Sequence, residues 1–153
     1  MVKPKGIRKF YYLDNAAAAP IAPEVQKEMI RALKLFGNPS SFNDAGRQAA
    51  DEIKKARLTV ARFLGAHAEE IIFTSSGSEA NNLAINGVAV AYGKKRNKII
   101  TTKIEHPSVL GPIEKLRDYS FNIGYLKNDE DGFVDPSDLK RHLDKRTLIV
   151  SVM

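Results

Sequence analysis

The sequence predicts an α/β fold, with helices flanking a mainly parallel sheet. Three observations carry this expectation. From residue 71 onward, short apolar runs alternate with helical patterns. The runs Ile99-Ile100 and Leu148-Ile149-Val150 are continuously apolar, as in strands covered on both faces. Helix-start residues (Ser76, Pro107, and Asp135 with Pro136) stand between the runs at regular intervals.

In chain order, residues 1–10 read as a flexible basic arm. Pro23-Glu24 opens a helix whose apolar stripe is Val25, Met29, Leu33 and Phe36, and Gly37 stops it. Gly37-Asn38-Pro39-Ser40-Ser41 is loop by composition. A second helix is expected over 45–64, with Ile53, Ala56, Val60, Phe63 and Leu64 toward a core and Gly65 ending it. A strand over 71–74 leads through a Ser/Gly turn into an Ala-rich helix reaching Tyr92. A strand follows over 98–104, a helix over 107–119 and a strand over 121–126. A polar connection over 128–135 then leads to a helix over 136–143 capped by Asp135, and to a strand over 147–153. The organisation expected is an arm over 1–10, a helical segment over 11–45, and an α/β domain over 46–153 that stops mid-domain.

Composition limits the function classes. The 153 residues suffice for one domain with a sizeable core, and 43% hydrophobic with 27% charged residues is a globular balance. No apolar run approaches a membrane span, and the first residues lack the apolar core of a signal peptide. The absence of cysteine excludes disulfides, thiolate metal sites and a thiol nucleophile within these residues, and fits a cytoplasmic location. Three scattered histidines argue against a metal site. The net charge of +6 gathers in Lys3, Lys5, Arg8 and Lys9, in Lys94-Lys95-Arg96 with Lys98, and in Lys140-Arg141 with Lys145-Arg146. These lie on a tail, a helix end and a helix face without aromatic interleaving, so neither nucleic acid nor membrane is expected as a partner.

The stretch Ile71-Ile72-Phe73-Thr74-Ser75-Ser76-Gly77-Ser78-Glu79 carries the chemistry. An apolar run, a tight turn and a helix start converge free backbone N–H groups on one point, where the helix dipole adds positive charge. Ser76 and Glu79 stand in S-x-x-E capping-box spacing. The turn is therefore a candidate anion cradle, built to take a phosphate.

Four segments, in order, resemble the cysteine desulfurases of the class V aminotransferases, which depend on pyridoxal 5'-phosphate (PLP). They are Tyr12-Leu13-Asp14-Asn15-Ala16-Ala17, then Gly37-Asn38-Pro39-Ser40-Ser41 with Gly46-Arg47, then residues 73–84, then Glu105-His106 with Val109-Leu110. Residues 148–153 are similar to the strand preceding a further family loop. The resemblance implies the large domain of a type I, aspartate-aminotransferase-like fold, truncated here. It implies that the backbone N–H groups of Gly77 and Ser78, with the Ser78 hydroxyl, hold the cofactor phosphate. It also implies that His106 covers the pyridine ring and relays protons.

The family mechanism further needs a Schiff-base lysine and an attacking cysteine, both beyond the last residue of this chain. Lys103, inside a strand, does not match the lysine segment and reads as structural. Ala18-Ala19 stand where the family usually has threonines, Asn43 where it usually has histidine, and Ser76-Gly77-Ser78 where Gly-Ala-Thr is usual. Asn38, Asn81 and Asn82 read as loop and capping residues that shape the pocket, and His67 and His142 as surface or helix-end residues.

The function expected from the resemblance is that of the N-terminal part of a cysteine desulfurase. Such an enzyme takes sulfur from L-cysteine, leaving alanine and an enzyme persulfide for iron–sulfur cluster assembly or other sulfur transfer. The expected partners are a second copy in the full-length enzyme, sulfur acceptors or scaffold proteins, and a companion polypeptide carrying the C-terminal half. The isolated chain is expected to be inactive. The alternatives are another class V enzyme, such as a selenocysteine lyase or an aminotransferase, and a non-catalytic remnant that binds PLP or a partner.

Overall fold

A computed structural model of the chain describes residues 11–153, so the arm expected over residues 1–10 lies outside them. The chain divides into two compact units, Met1–Ile71 and Ile72–Met153.

The first unit holds two helices, α1 (Pro23–Ala32) and α2 (Asp44–Leu64), and a short 3₁₀ turn over Ala68–Glu70. Pro23 at the first turn, Glu24 after it and Arg31 in the last turn match the helix dipole of α1. The helix ends at Ala32, short of the Phe36 expected. Its last i→i−4 bond, Leu33 N–H to the Met29 carbonyl, gives way to tighter i→i−3 bonds from Lys34 to Arg31 and from Leu35 to Ala32. Gly37 follows with φ 148°, a conformation that other residues rarely adopt.

The 37–46 segment is a fixed turn seated on the start of α2. Asn38 Oδ1 accepts from the Ser40 N–H at 2.9 Å, and the Asn38 carbonyl accepts from the Ser41 N–H at 2.9 Å. Gly46 is buried beneath this turn. A Cβ there would lie 2.6 Å from the Asn38 carbonyl oxygen and would overlap that of Ser41. The glycine is therefore a close-approach position. Asn43 is the N-cap, its Oδ1 accepting from the Gly46 N–H at 2.8 Å, which starts α2 one residue before the Ala45 expected. Gly65 ends α2 in the left-handed region at φ 65°, as its sequence position predicts.

The expected core faces of these helices are not buried. α1 buries no residue and α2 buries only Gly46 and Ala61. Val25, Met29, Leu33, Phe36, Ile53, Ala56, Phe63 and Leu64 are all exposed, Phe63 at 89%, while Val60 is half-buried. Periodicity identifies a face suited to being covered; it does not supply the element that covers it.

The second unit is a three-stranded parallel sheet in the order β2-β1-β3, made of β1 (Lys98–Thr102), β2 (Asn122–Leu126) and β3 (Thr147–Val150). Helices α3 (Gly77–Tyr92), α4 (Pro107–Lys115) and α5 (Pro136–His142) alternate with the strands. The parallel α/β layer expected from the sequence is thus present. Ile99 of β1 stands in register with Ile123 of β2 and Ile149 of β3. The core joins Ile85 and Ala89 of α3, Ile99, Val109 and Ile113 of α4, Leu116 and Ile123. Ile99 and Ile113 are fully buried, each contributing about 1.5–3 kcal/mol of transfer free energy.

Several expected boundaries differ. Residues 71–74 form no ladder with any described residue, so they are not a strand here; a strand is defined by its pairing, which an apolar run does not reveal. β1 ends at Thr102 rather than residue 104, and β3 at Val150 rather than 153, with a last backbone bond from the Ser151 N–H to the Ile100 carbonyl at 2.9 Å. The helix expected over 107–119 is α-helical only to Lys115 and continues as a 3₁₀ turn over Leu116–Tyr119. Pro112 lacks the N–H for one i→i−4 bond, and Ser120 closes the turn at φ 66°. β2 begins at Asn122 and α5 ends at His142, each one residue inside its expected limit.

Candidate functional site

The N-terminus of α3 is built by its own side chains. Ser76 is the N-cap in extended conformation, and its Oγ accepts from the Glu79 N–H at 3.2 Å. The return half of the expected capping box is displaced by one residue. Glu79 Oε2 accepts from the Ser75 N–H at 2.7 Å and from the Ser75 hydroxyl at 2.6 Å, because Ser75 offers two donors to one carboxylate. Those bonds, the hydroxyl first, hold the Glu79 carboxyl below its ordinary range and turn its charge back onto the turn.

With Glu79 N–H used by the cap, the N–H groups of Gly77 and Ser78 remain without partners among the described residues. They are the first two residues of α3, both are exposed, and a Cβ on Gly77 would meet nothing within 4 Å. Open space, two free donors and the Ser78 hydroxyl at a 16-residue helix fit a phosphate group. On the next turn, Asn82 Nδ2 donates to the Ser78 carbonyl at 2.9 Å, which steadies the cradle from behind.

His106 is the N-cap of α4, directly before Pro107, and is exposed. Its Nδ1 accepts from the Ser108 N–H at 3.1 Å and lies 2.7 Å from Ser108 Oγ. Asn81 Nδ2 on α3 donates to the same Ser108 Oγ at 2.9 Å. This bond couples α3 to α4 within the second unit. Sequence reasoning assigned Asn81 to capping and did not single out Ser108. The signal was Ser108 itself, a hydroxyl two residues after a histidine that begins a helix.

The turn that carries His106 is anchored below. Glu105 is 9% exposed, and its Oε1 accepts from the Ser151 hydroxyl at 2.9 Å. Lys103 lies 5.9 Å from the Tyr125 ring centroid, a cation–π contact in keeping with a structural role. His142, at the end of α5, pairs its Nδ1 with the Asp138 carbonyl at 2.8 Å. Among the described residues no cluster of three or more His, Cys, Asp or Glu side chains could hold a metal, and no helix is long and apolar enough to cross a membrane. An apolar groove of about 730 Å³ lies between α3 and α4, lined by Asn82, Val90, Lys115, Leu116 and Phe121 among others. Its lining includes none of Gly77, Ser78 and His106.

Comparison with known proteins extends this picture. The sequence profile described as aminotransferase class-V matches residues 11–153. The cysteine desulfurase IscS of Dictyoglomus turgidum is 47% identical over 148 residues, which are 96% of this chain and 38% of that protein. The putative cysteine desulfurase IscS 1 of Bacillus subtilis is 45% identical over 143 residues, 93% of this chain and 38% of that protein. Among solved structures, a NifS-like protein superposes with a TM-score of 0.85 at 36% identity, covering 92% of this chain and 39% of the other. A structure described as SspA in complex with cysteine gives 0.83 at 33% identity, covering 92% and 41%. The chain thus spans about two fifths of the length of the proteins it resembles.

Proposed function

The chain belongs to the aminotransferase class-V family, and from that premise we propose that it is the N-terminal part of a PLP-dependent cysteine desulfurase working in the cytoplasm. Its substrate is L-cysteine, and its products are alanine and a persulfide for iron–sulfur cluster assembly or another sulfur acceptor. The full-length enzyme is a homodimer. The support for this reading is one observation. The open helix N-terminus at Gly77 and Ser78 is joined through Asn81 and Ser108 to an exposed imidazole at His106.

In this reading, Gly77 N–H, Ser78 N–H and the Ser78 hydroxyl bind the phosphate ester of PLP, and the dipole of α3 adds to the attraction. His106 would cover the ring, exclude water from one face and hold a proton at its outer nitrogen. When bound, PLP supplies an electron sink for amino-acid chemistry. The 153 residues contain no cysteine, so the sulfur-accepting nucleophile comes from outside them.

The test avoids the aldehyde, which would react with surface lysines. Pyridoxine 5'-phosphate and pyridoxine are titrated into the 153-residue chain, and binding is followed by phosphorus and proton NMR. The phosphate-bearing compound binds more tightly, and Ser78→Ala weakens only that compound. Equal affinity for the two, or indifference to Ser78→Ala, overturns the reading.

A further inference from the structure

We propose that Asn81 and Ser108 are positioning residues that hold the imidazole of His106 in one tautomer, with the proton on Nε2. Their use in catalysis rests on the ring-covering role proposed for His106; the tautomer itself does not.

The hydrogen-bond directions settle one another in sequence. A backbone N–H can only donate, so the 3.1 Å bond from Ser108 N–H makes His106 Nδ1 an acceptor. An unprotonated Nδ1 leaves the ring proton of a neutral imidazole on Nε2. The Ser108 hydroxyl, 2.7 Å from the same nitrogen, must then donate its hydrogen to Nδ1. Its oxygen lone pairs are left to accept, and Asn81 Nδ2 donates to one of them at 2.9 Å. The polarity runs one way, from the Asn81 amide through the Ser108 hydroxyl to Nδ1. Nε2 has no partner among the described residues, and the ring is exposed. The outward edge of His106 therefore presents a fixed N–H donor toward whatever stands in front of α4.

This arrangement uses three elements of local structure. Pro107 sets the entry of α4, so His106 takes the cap position and Ser108 falls on the first turn. Asn81 lies four residues along α3 from Gly77, so it supports the histidine while the start of its helix stays free for an anion. A structural cap alone would need only the Ser108 N–H. The hydroxyl and the amide add direction to a bond that the cap already makes.

The experiment reads the tautomer directly, by long-range proton–nitrogen NMR of the 153-residue chain labelled at histidine nitrogen. Spectra are taken at a pH where the imidazole is neutral, and His106 is assigned from His106→Gln. In the unsubstituted chain, His106 shows the Nε2–H pattern. In Ser108→Ala the ratio of Nε2–H to Nδ1–H forms falls about fivefold, the effect of losing one ordinary hydrogen bond. Asn81→Asp is the sharper probe. It keeps the shape but offers only acceptors, so the Ser108 hydroxyl turns to the carboxylate and the ratio falls as far as in Ser108→Ala. Ser108→Thr, which keeps the hydroxyl, retains the original ratio. An Nδ1–H pattern in the unsubstituted chain, or an unchanged ratio in both Ser108→Ala and Asn81→Asp, overturns the proposal. Pyridoxine 5'-phosphate binding, measured on the same samples, separates the two readings. A tautomer shift without phosphate-dependent binding leaves the positioning role standing and sinks the cofactor role, and the reverse result does the opposite.

Discussion

Ser151, one residue past β3, donates its hydroxyl to the carboxylate of Glu105 across 46 positions of chain, and Glu105 is 9% exposed. The bond fastens the end of an edge strand to the turn that presents His106. Ser151→Ala removes the donor and leaves a buried carboxylate short of a partner, which costs about 1–3 kcal/mol. Urea unfolding of the variant checks this. Glu105→Gln, which still accepts from Ser151, loses less stability than Ser151→Ala; the reverse order contradicts the bond's assigned direction.

Gly46→Ala tests whether the 37–46 signature is architectural. The new methyl lands on the Ser41 carbonyl oxygen and 2.6 Å from that of Asn38, both backbone atoms that no rotamer change can move. Overpacking of this kind costs about 1–3 kcal/mol. The loss appears as a lower melting midpoint for the helical signal of α2. Gly65→Ala, with open space around its Cβ but φ 65°, costs only the backbone strain, about 1 kcal/mol.

What was legible in the sequence follows from how local each signal is. Ser76, Asn43, Asp135 and Gly65 terminate helices by contacts within a few residues, so helix ends were read to within a residue or two where such a cap stands. The parallel sheet was legible because Ile99-Ile100 and Leu148-Ile149-Val150 are apolar on both faces. Partners distant in sequence were not. Residues 71–74 look like a strand but form no ladder with the described residues, and the stripes of α1 and α2 look like core but stand exposed. At the site, Gly77, Ser78 and His106 came from motifs, whereas the Asn81–Ser108 bond spans 27 positions, and only its Ser108 end carries a local signal.

Stability in the second unit falls with acid. The carboxyls of Asp144 (chiefly through the Lys98 ammonium), Asp135 (through the Ser137 hydroxyl), Asp138 (through the Lys127 N–H) and Glu79 (through the Ser75 hydroxyl) all sit below their ordinary values. A depressed carboxyl binds fewer protons in the folded chain than in the unfolded one. Its contribution is therefore complete above the ordinary carboxylate range of 3.8 to 4.5, and it is lost as pH falls through the lower folded values. The urea midpoint should hold from pH 7 to about 5 and drop by pH 3. A midpoint that rises toward pH 3 is incompatible with these bonds. Asp135→Asn, which keeps a cap acceptor without the charge, should show a shallower drop.

The two units should also differ in how they open. Ile99, Ile100, Thr101 and Thr102 of β1 are 0% exposed, the first two paired on both sides and the last two with β2, so their amides exchange only when the sheet opens. α1 buries no residue, and a ten-residue helix is marginal without packing, so its amides exchange through fraying. Native-state hydrogen exchange followed by NMR should give strong protection along β1 and little along α1. Ile113→Ala, which empties a fully buried site against Ile99, should cost about 2–5 kcal/mol and lower protection in β1. Val90→Ala, at 85% exposed, should change stability by about 0.5 kcal/mol or less. Protection of α1 equal to that of β1 would mean that the stripe of Val25, Met29 and Leu33 is covered in solution, and sedimentation would then show the chain associating through it.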